Sequence, residues 1–479
     1  MRIRVRRQTL KGAALALLAG VPISLALFGF TVDDALISIR VAQHLATGSG
    51  YRFNSGGPVV DAVTPLGWAH VLTLLYSEDP WEMLLSARVF GLLAWWVALV
   101  LLGRRVAGVG ETWRRWLPLL PLAVSAPLAV WSSSGMETGV VTLLAVLALS
   151  EQRSALWFAG LAAAWRPELL GWALVLGLGR GWGATAGFNE SGFGRFGLAL
   201  GRVVGPFIAV AFVRVLIFGQ AAPLSAIAKP TDLQQGLFYA AHAFVWTGFP
   251  VLLFTRQLQG LSPELRAIAV AGVSHFGFVG LVGGDWMALY RLVVPVLPGL
   301  VLVAAALLDK ARAWSVSIRL VFACALNTVL LVQLGPSSRR IAEQRAFLSE
   351  QAEPFLNFGG TVGTLDVGWV GAATQGTVFD FAGVTDPVVA RLCCGHHAKK
   401  IDHHLLEVRG VDTLVLLLAP GKNMQTPWWQ SEFARFSENY VARQLKEDVW
   451  LSVAELPLKY TDQKYVILRR SVTRFAALP

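Results

Sequence analysis

The sequence predicts an α-helical polytopic membrane domain over residues 1–335, followed by a soluble α/β domain over residues 336–479. Three observations carry this reading. Apolar residues make up 55% of the chain and charged residues only 15%, a balance typical of chains that live in a bilayer. The apolar residues are gathered into runs bounded by charge, glycine or proline. From about residue 336 the charge becomes mixed, and short apolar runs alternate with helical stretches.

Taken in order, the runs at 10–30, 84–102, 117–131, 203–218, 238–255, 266–282, 291–308 and 317–334 read as spans. Several reach the ~20 residues that a crossing helix needs. The runs at 139–150, 154–165 and 168–179 are shorter and predict interrupted helices that protein, not lipid, must cover. Together they predict roughly eleven spans. The N-terminal segment has the basic head and apolar stretch of a signal peptide. Its apolar run continues to residue 30 without a small-residue cleavage site, so a retained first span is expected. In the C-terminal domain, the runs at 361–370, 377–381, 413–418 and 465–468 predict strands.

The formal net charge is +11, and topology accounts for it. Arg2, Arg4, Arg6, Arg7 and Lys11 precede the first span, which places the N-terminus in the cytoplasm. Under the same span count Arg104, Arg105, Arg114, Arg115, Arg153, Arg180, Arg195, Arg202, Arg256, Arg266, Lys310, Arg312 and Arg319 fall on that side too. The opposite loops carry only Arg40, Arg52, Arg166, Lys229 and Arg291. A nucleic-acid partner is not expected, because the chain has none of the usual binding motifs. By parity the C-terminal domain is extracytoplasmic.

Cys324 lies inside a span and reads as a small apolar filler. Cys393 and Cys394 are adjacent, which disfavours a bond between them. His396, His397, His403 and His404 follow, but their spacing matches no closed zinc site, so a solvated loop without metal is expected. The glycines of 177–183 lack the preceding strand and the spacing of a nucleotide loop, which argues against a soluble cofactor.

The unusual polar residues all fall in the outer loops of this topology, and the inner loops are plain and basic. After the first span come Asp33 and Asp34, an amphipathic stretch from Ile37 to Leu45 with Arg40 and His44, and a glycine-bracketed turn; such a stretch suits a helix lying in the interface. The later outer loops hold Glu137, Arg166 with Glu168, Lys229, and the run Gly283-Gly284-Asp285-Trp286 followed by Tyr290 and Arg291. Charge kept beside lipid is costly and marks a functional site. These loops are read as one active site for a lipid-linked substrate. Asp33 or Asp34 suits a general base, the cations Arg166, Lys229 and Arg291 suit a phosphate, and Trp286 and Tyr290 suit a sugar ring. The same residues have structural readings. The aspartates can cap a helix, Arg166–Glu168 and Asp285–Arg291 can be ion pairs between spans, and Lys229 can snorkel.

These residues carry a resemblance. The acidic pair, the Ile37-Ser38-x-Arg40 helix and the Gly48-x-Gly50-Tyr51-x-Phe53-Asn54 turn look like the membrane glycosyltransferases of the C-type fold. The match is to the branch containing the mycobacterial terminal arabinofuranosyltransferase. Residues 133–138, Arg166-Pro167, 223–229, 283–298, 366–371 and 380–387 share its signatures, so the likeness covers most of the chain. It implies sugar transfer from a polyprenyl phosphate to a glycan, lipid or protein acceptor outside the cytoplasm of a bacterium, at the inner membrane, without a nucleotide donor or a required metal. It assigns the catalytic base to Asp33 or Asp34 and substrate contacts to Arg40, His44, Glu137, Arg166, Lys229, Asp285, Trp286, Tyr290 and Arg291. Where relatives carry Glu-Gly-Tyr-Thr this chain reads Asp61-Ala62-Val63-Thr64-Pro65, so arabinose is not implied. A transporter or flippase would instead show inverted repeats and broken helices at mid-membrane, and the sequence has no convincing internal repeat. A non-catalytic envelope regulator would tolerate loss of Asp33, Asp285 and Arg291 with only a change in stability.

Overall fold

The structure, a computed structural model, describes residues 2–152, 154–183, 190–254, 256–395, 399–418, 450–459 and 463–471. Of residues 2–5, 182–183, 190–193, 195, 256–257, 403 and 418 it describes the backbone alone. Arg153, His396 and His397 therefore lie outside the described residues, as do the side chains of Arg2, Arg4, Arg195, Arg256 and His403. The chain is mostly helical with a small C-terminal sheet, and it divides into two compact units.

The first unit comprises Met1–Thr31, Ser86–Val213 and Thr231–Arg340. Six helices among the described residues are long and apolar enough to cross a membrane: Arg6–Ala26, Pro80–Val106, Phe196–Phe218, Pro263–Leu281, Ala288–Asp309 and Ala313–Leu356. Phe196–Phe218 turns large apolar side chains outward, with Phe212 61% and Leu216 69% exposed, as a helix in contact with lipid does. Glycines let the backbones of this unit approach closely, as in membrane bundles generally. A Cβ at Gly12 would stand 2.1 Å from the Gly103 carbonyl oxygen, and one at Gly139 would stand 2.4 Å from that of Gly91.

The other five expected spans take shorter or broken forms. Pro118 and Pro121 turn 113–124 into a 3-10 helix, Trp113–Val124, before the short helix Ala126–Ser132. Proline lacks the N–H that a continuous α-helix requires. Thr138–Ala148 and Ala155–Trp165 have 11 residues each, and Leu170–Gly183 has 14. Leu233–Trp246 stops at Gly248, whose φ of 71° leaves the helical region, before the 3-10 turn Pro250–Leu253.

The second unit joins Val32–Leu85 and Arg214–Pro230 to Ile341–Pro479. Its sheet has five strands, β1 (Thr361–Thr364), β2 (Thr377–Asp380), β3 (Val411–Leu418), β4 (Trp450–Pro457) and β5 (Lys464–Arg470), in the order β2-β1-β3-β5-β4. The β2-β1-β3 part is parallel and the β3-β5-β4 part antiparallel. The four predicted runs contribute β1, β2, β3 and β5. Residues 365–370 of the first run instead turn into the helix Val367–Ala372, and β4 was not foreseen. Phe379, Phe381, Val389, Leu406, Leu414 and Trp450 form a buried core on the sheet. Segment 32–85 supplies the helix Asp33–Ala46, buried along Ala35, Leu36, Ile37 and Ile39. Cys393 and Cys394 are exposed thiols with their sulfurs 3.2 Å apart.

Candidate functional site

In the second unit the helix Asp33–Ala46 starts at the acidic pair, with Val32 extended before it. Acids in a first turn are favoured by the helix dipole. Asp33 is half-buried as a residue, but its carboxyl is turned onto the start of Val367–Ala372, where Oδ2 accepts from the Gly368 amide at 2.7 Å and Oδ1 from the Trp369 amide at 2.9 Å. Asp34 is half-buried, and its backbone carbonyl accepts from the Ser38 hydroxyl at 3.2 Å. Burial is the largest cause pushing Asp33 up to about 7, and the charge of Asp366 adds to it, while Arg345 and the two amides pull the other way. Beside it, the Tyr465 hydroxyl donates to Asp366 Oδ2 at 2.6 Å and accepts from Arg345 Nη1 at 2.8 Å. Arg345 Nη2 lies 3.5 Å from Asp366 Oδ1. Burial also raises Asp366, opposed by Arg345 and Tyr465. The Trp369 and Tyr465 rings meet edge to face at 4.9 Å.

Arg40 grips backbone. Its Nε donates to the Phe53 carbonyl at 2.8 Å, its Nη1 to those of Gly371 and Thr374 (2.9 Å to the latter), and its Nη2 to that of Gly376 at 2.9 Å. Asn54 pairs with Val378 as a strand would, donating and accepting at 2.9 Å each way, and so covers the outer edge of β2. His44 Nδ1 lies 2.9 Å from the Arg52 carbonyl. Burial, the main cause, and the nearby Arg40 charge lower the His44 imidazole, with the Arg52 carbonyl opposing. Lys229 is half-buried at the end of the helix Leu224–Ala228. Arg214 Nε pairs with Asp61 Oδ2 at 2.8 Å. Burial pushes Asp61 up to about 6 despite that partner.

The first unit gathers the remaining candidates. Glu137 is wholly buried at the start of Thr138–Ala148 and forms an ion pair with Arg166 Nε. Arg166 is extended because Pro167 follows it. Its Nη2 donates to Thr138 Oγ1 at 3.3 Å and its Nη1 stands 3.5 Å from Glu168 Oε1. Asp285 Oδ2 meets Arg291 Nη2 at 2.9 Å, and the guanidinium carbon lies 5.5 Å from the Trp131 ring centre. Gly283 and Gly284 precede this pair at φ 95° and 68°; a Cβ on Gly284 would be 2.8 Å from that of Tyr239. Leu289 and Tyr290 take φ 63° and 54°, a strained choice for such side chains. The strain is held by Trp131 Nε1 donating to the Leu289 carbonyl at 3.0 Å and by the Tyr239 hydroxyl accepting the Leu292 amide at 3.2 Å. Tyr290 meets Tyr239 edge to face at 5.8 Å. Trp286 is half-buried.

The structure thus groups Asp33, Asp34, Arg40, His44 and Lys229 in one unit, and Glu137, Arg166, Asp285, Trp286, Tyr290 and Arg291 in the other. Both ion pairs that the sequence allowed as structural readings are formed. Sequence reasoning missed the Arg345–Tyr465 pair around Asp366, and nothing in the local pattern of residues 341–356 marks Arg345. It also missed Arg214, although a lone arginine in an apolar run is itself a signal. The chain matches no known family model and no curated protein.

Proposed function

We propose that this chain is a membrane glycosyltransferase of the C-type fold, moving a sugar from a polyprenyl phosphate to an acceptor outside the cytoplasm. The observation that carries the reading is the acidic first turn of the helix Asp33–Ala46, with the Asp33 carboxyl seated on the start of Val367–Ala372. Both oxygens of Asp33 accept backbone amides, which suits a positioning carboxylate, and we assign the base to Asp34, the other acid of that first turn. In this reaction Asp34 takes the proton of the acceptor hydroxyl as its oxygen bonds to the anomeric carbon. The bond from that carbon to the phosphate oxygen breaks, and the polyprenyl phosphate leaves with the electron pair. Lys229, which shares a unit with Asp34, is the cation proposed to meet the phosphate; the Glu137–Arg166 and Asp285–Arg291 pairs belong to the other unit. The proposal includes eleven spans, the short and broken helices among them, with the N-terminus inside and the C-terminal unit outside.

The test is transfer of radiolabelled sugar from a panel of polyprenyl-phosphate sugars by the purified full chain in lipid. Asp34→Asn is expected to abolish transfer with the thermal midpoint unchanged, whereas Asp33→Asn keeps a measurable rate. Failure of every donor, or transfer indifferent to Asp34→Asn, overturns the reading and favours transport or regulation.

A further inference from the structure

The second unit carries a cleft of about 630 Å³, within the size range of small-molecule sites. One wall is a single face of the helix Ile341–Leu356, presenting Glu343, Phe347 and Glu350. Trp81, at the start of the helix Pro80–Val106, stands on another side, and its amide is fixed by Asp79 Oδ1 at 2.8 Å. The floor is the segment 372–375. That floor is held firmly. The Thr374 hydroxyl donates to the Leu356 carbonyl at 3.0 Å, the Gln375 amide donates to Asn357 Oδ1 at 3.1 Å, and Arg40 grips the Thr374 and Gly376 carbonyls. It also continues from the short helix whose amides bind Asp33.

We infer that this cleft binds a neutral glycan, and that on the transferase reading, on which this last step rests, the glycan is the acceptor. Aromatic rings take the apolar C–H faces of a sugar, and carboxylates and amides exchange hydrogen bonds with its vicinal hydroxyls. Anionic ligands are disfavoured. Among the described residues of the lining, Asp79, Glu343, Glu350 and Glu353 face one cation, Lys459, which is engaged, 3.7 Å from Glu343 and 4.1 Å from the Phe347 ring centre. A lipid tail is disfavoured by the same polar lining.

The experiment is saturation-transfer NMR on the full chain in lipid nanodiscs, with neutral pentose and hexose tetrasaccharides beside uronic-acid and amino-sugar counterparts. Binding of a neutral tetrasaccharide is expected. It should weaken at least tenfold in Trp81→Ala and in Glu350→Gln, with thermal midpoints unchanged. Because Trp81 also opens a long helix, the exposed Glu350 supplies a variant that leaves the fold alone. The inference is overturned if no neutral tetrasaccharide binds, if the charged counterparts bind in preference, or if Glu350→Gln leaves affinity unmoved. Binding without transfer from any donor sinks the enzyme and spares the cleft; transfer without such binding does the reverse.

Discussion

At the scale of single residues, the second unit stores a pH dependence in its buried acids. Asp33 is pushed up to about 7, and Asp61 and Asp380 to about 6, burial being the largest cause for each. An acid raised on folding holds its proton in the native state after the unfolded chain has lost it. Its contribution is therefore complete below the unfolded value near 4 and is lost as pH rises through the folded value. The thermal midpoint is expected to fall between pH 5 and 7.5. Asn cannot ionise, so Asp33→Asn should fall less steeply than wild type between pH 4 and 7, most visibly above pH 6, where Asp61 and Asp380 have largely titrated. Parallel curves for the two proteins would show that Asp33 is not carrying its share.

At the scale of elements, the motif residues of the first outer loop act as fasteners. Asp33, Arg40 and Asn54 tie the 33–54 segment to the start of Val367–Ala372, to the 371–376 turn and to the edge of β2. Arg40→Lys keeps the charge but loses the planar fork that reaches four carbonyls. With carbonyls left unpaired the change should cost at least about 2 kcal/mol. Amide exchange over residues 371–378 should quicken while β3 stays protected, and unchanged exchange there would refute the clamp. This also explains what the sequence could tell. Hydropathy and alternation found four of the five strands, because burial imposes those periods directly. β4, with Ser452, Val453 and Glu455 facing out around a bulge, breaks the alternation and left no such trace. Asp33 was legible as an unusual acid, but its partners come from Gly368 and Trp369, 335 and 336 positions away. Nor do backbone amides announce themselves in a sequence. The proline and glycine breaks at 118, 121, 167 and 248 were visible as residues. Their effect on the runs at 117–131, 168–179 and 238–255 depends on how the neighbouring helices cover the exposed backbone.

At the scale of the whole molecule, span number is an argument about parity. An 11-residue helix such as Thr138–Ala148 rises only ~16 Å at 1.5 Å per residue, about half of a ~30 Å hydrocarbon core. The 12-residue 3-10 helix Trp113–Val124 and the 7-residue Ala126–Ser132 together reach ~34 Å on their respective rises. Broken elements can therefore still cross. Six crossings, an even number, return the C-terminal unit to the side of the N-terminus; eleven put it on the opposite side, where the proposed chemistry requires it. The exposed thiols of Cys393 and Cys394 report this directly. In intact cells a membrane-impermeant maleimide should label them without permeabilisation, whereas a cysteine introduced as Arg7→Cys, in a chain with the native cysteines replaced, should label only after it. Labelling of both positions only after permeabilisation would make the span count even, and would move the acidic pair's unit out of reach of an extracytoplasmic acceptor.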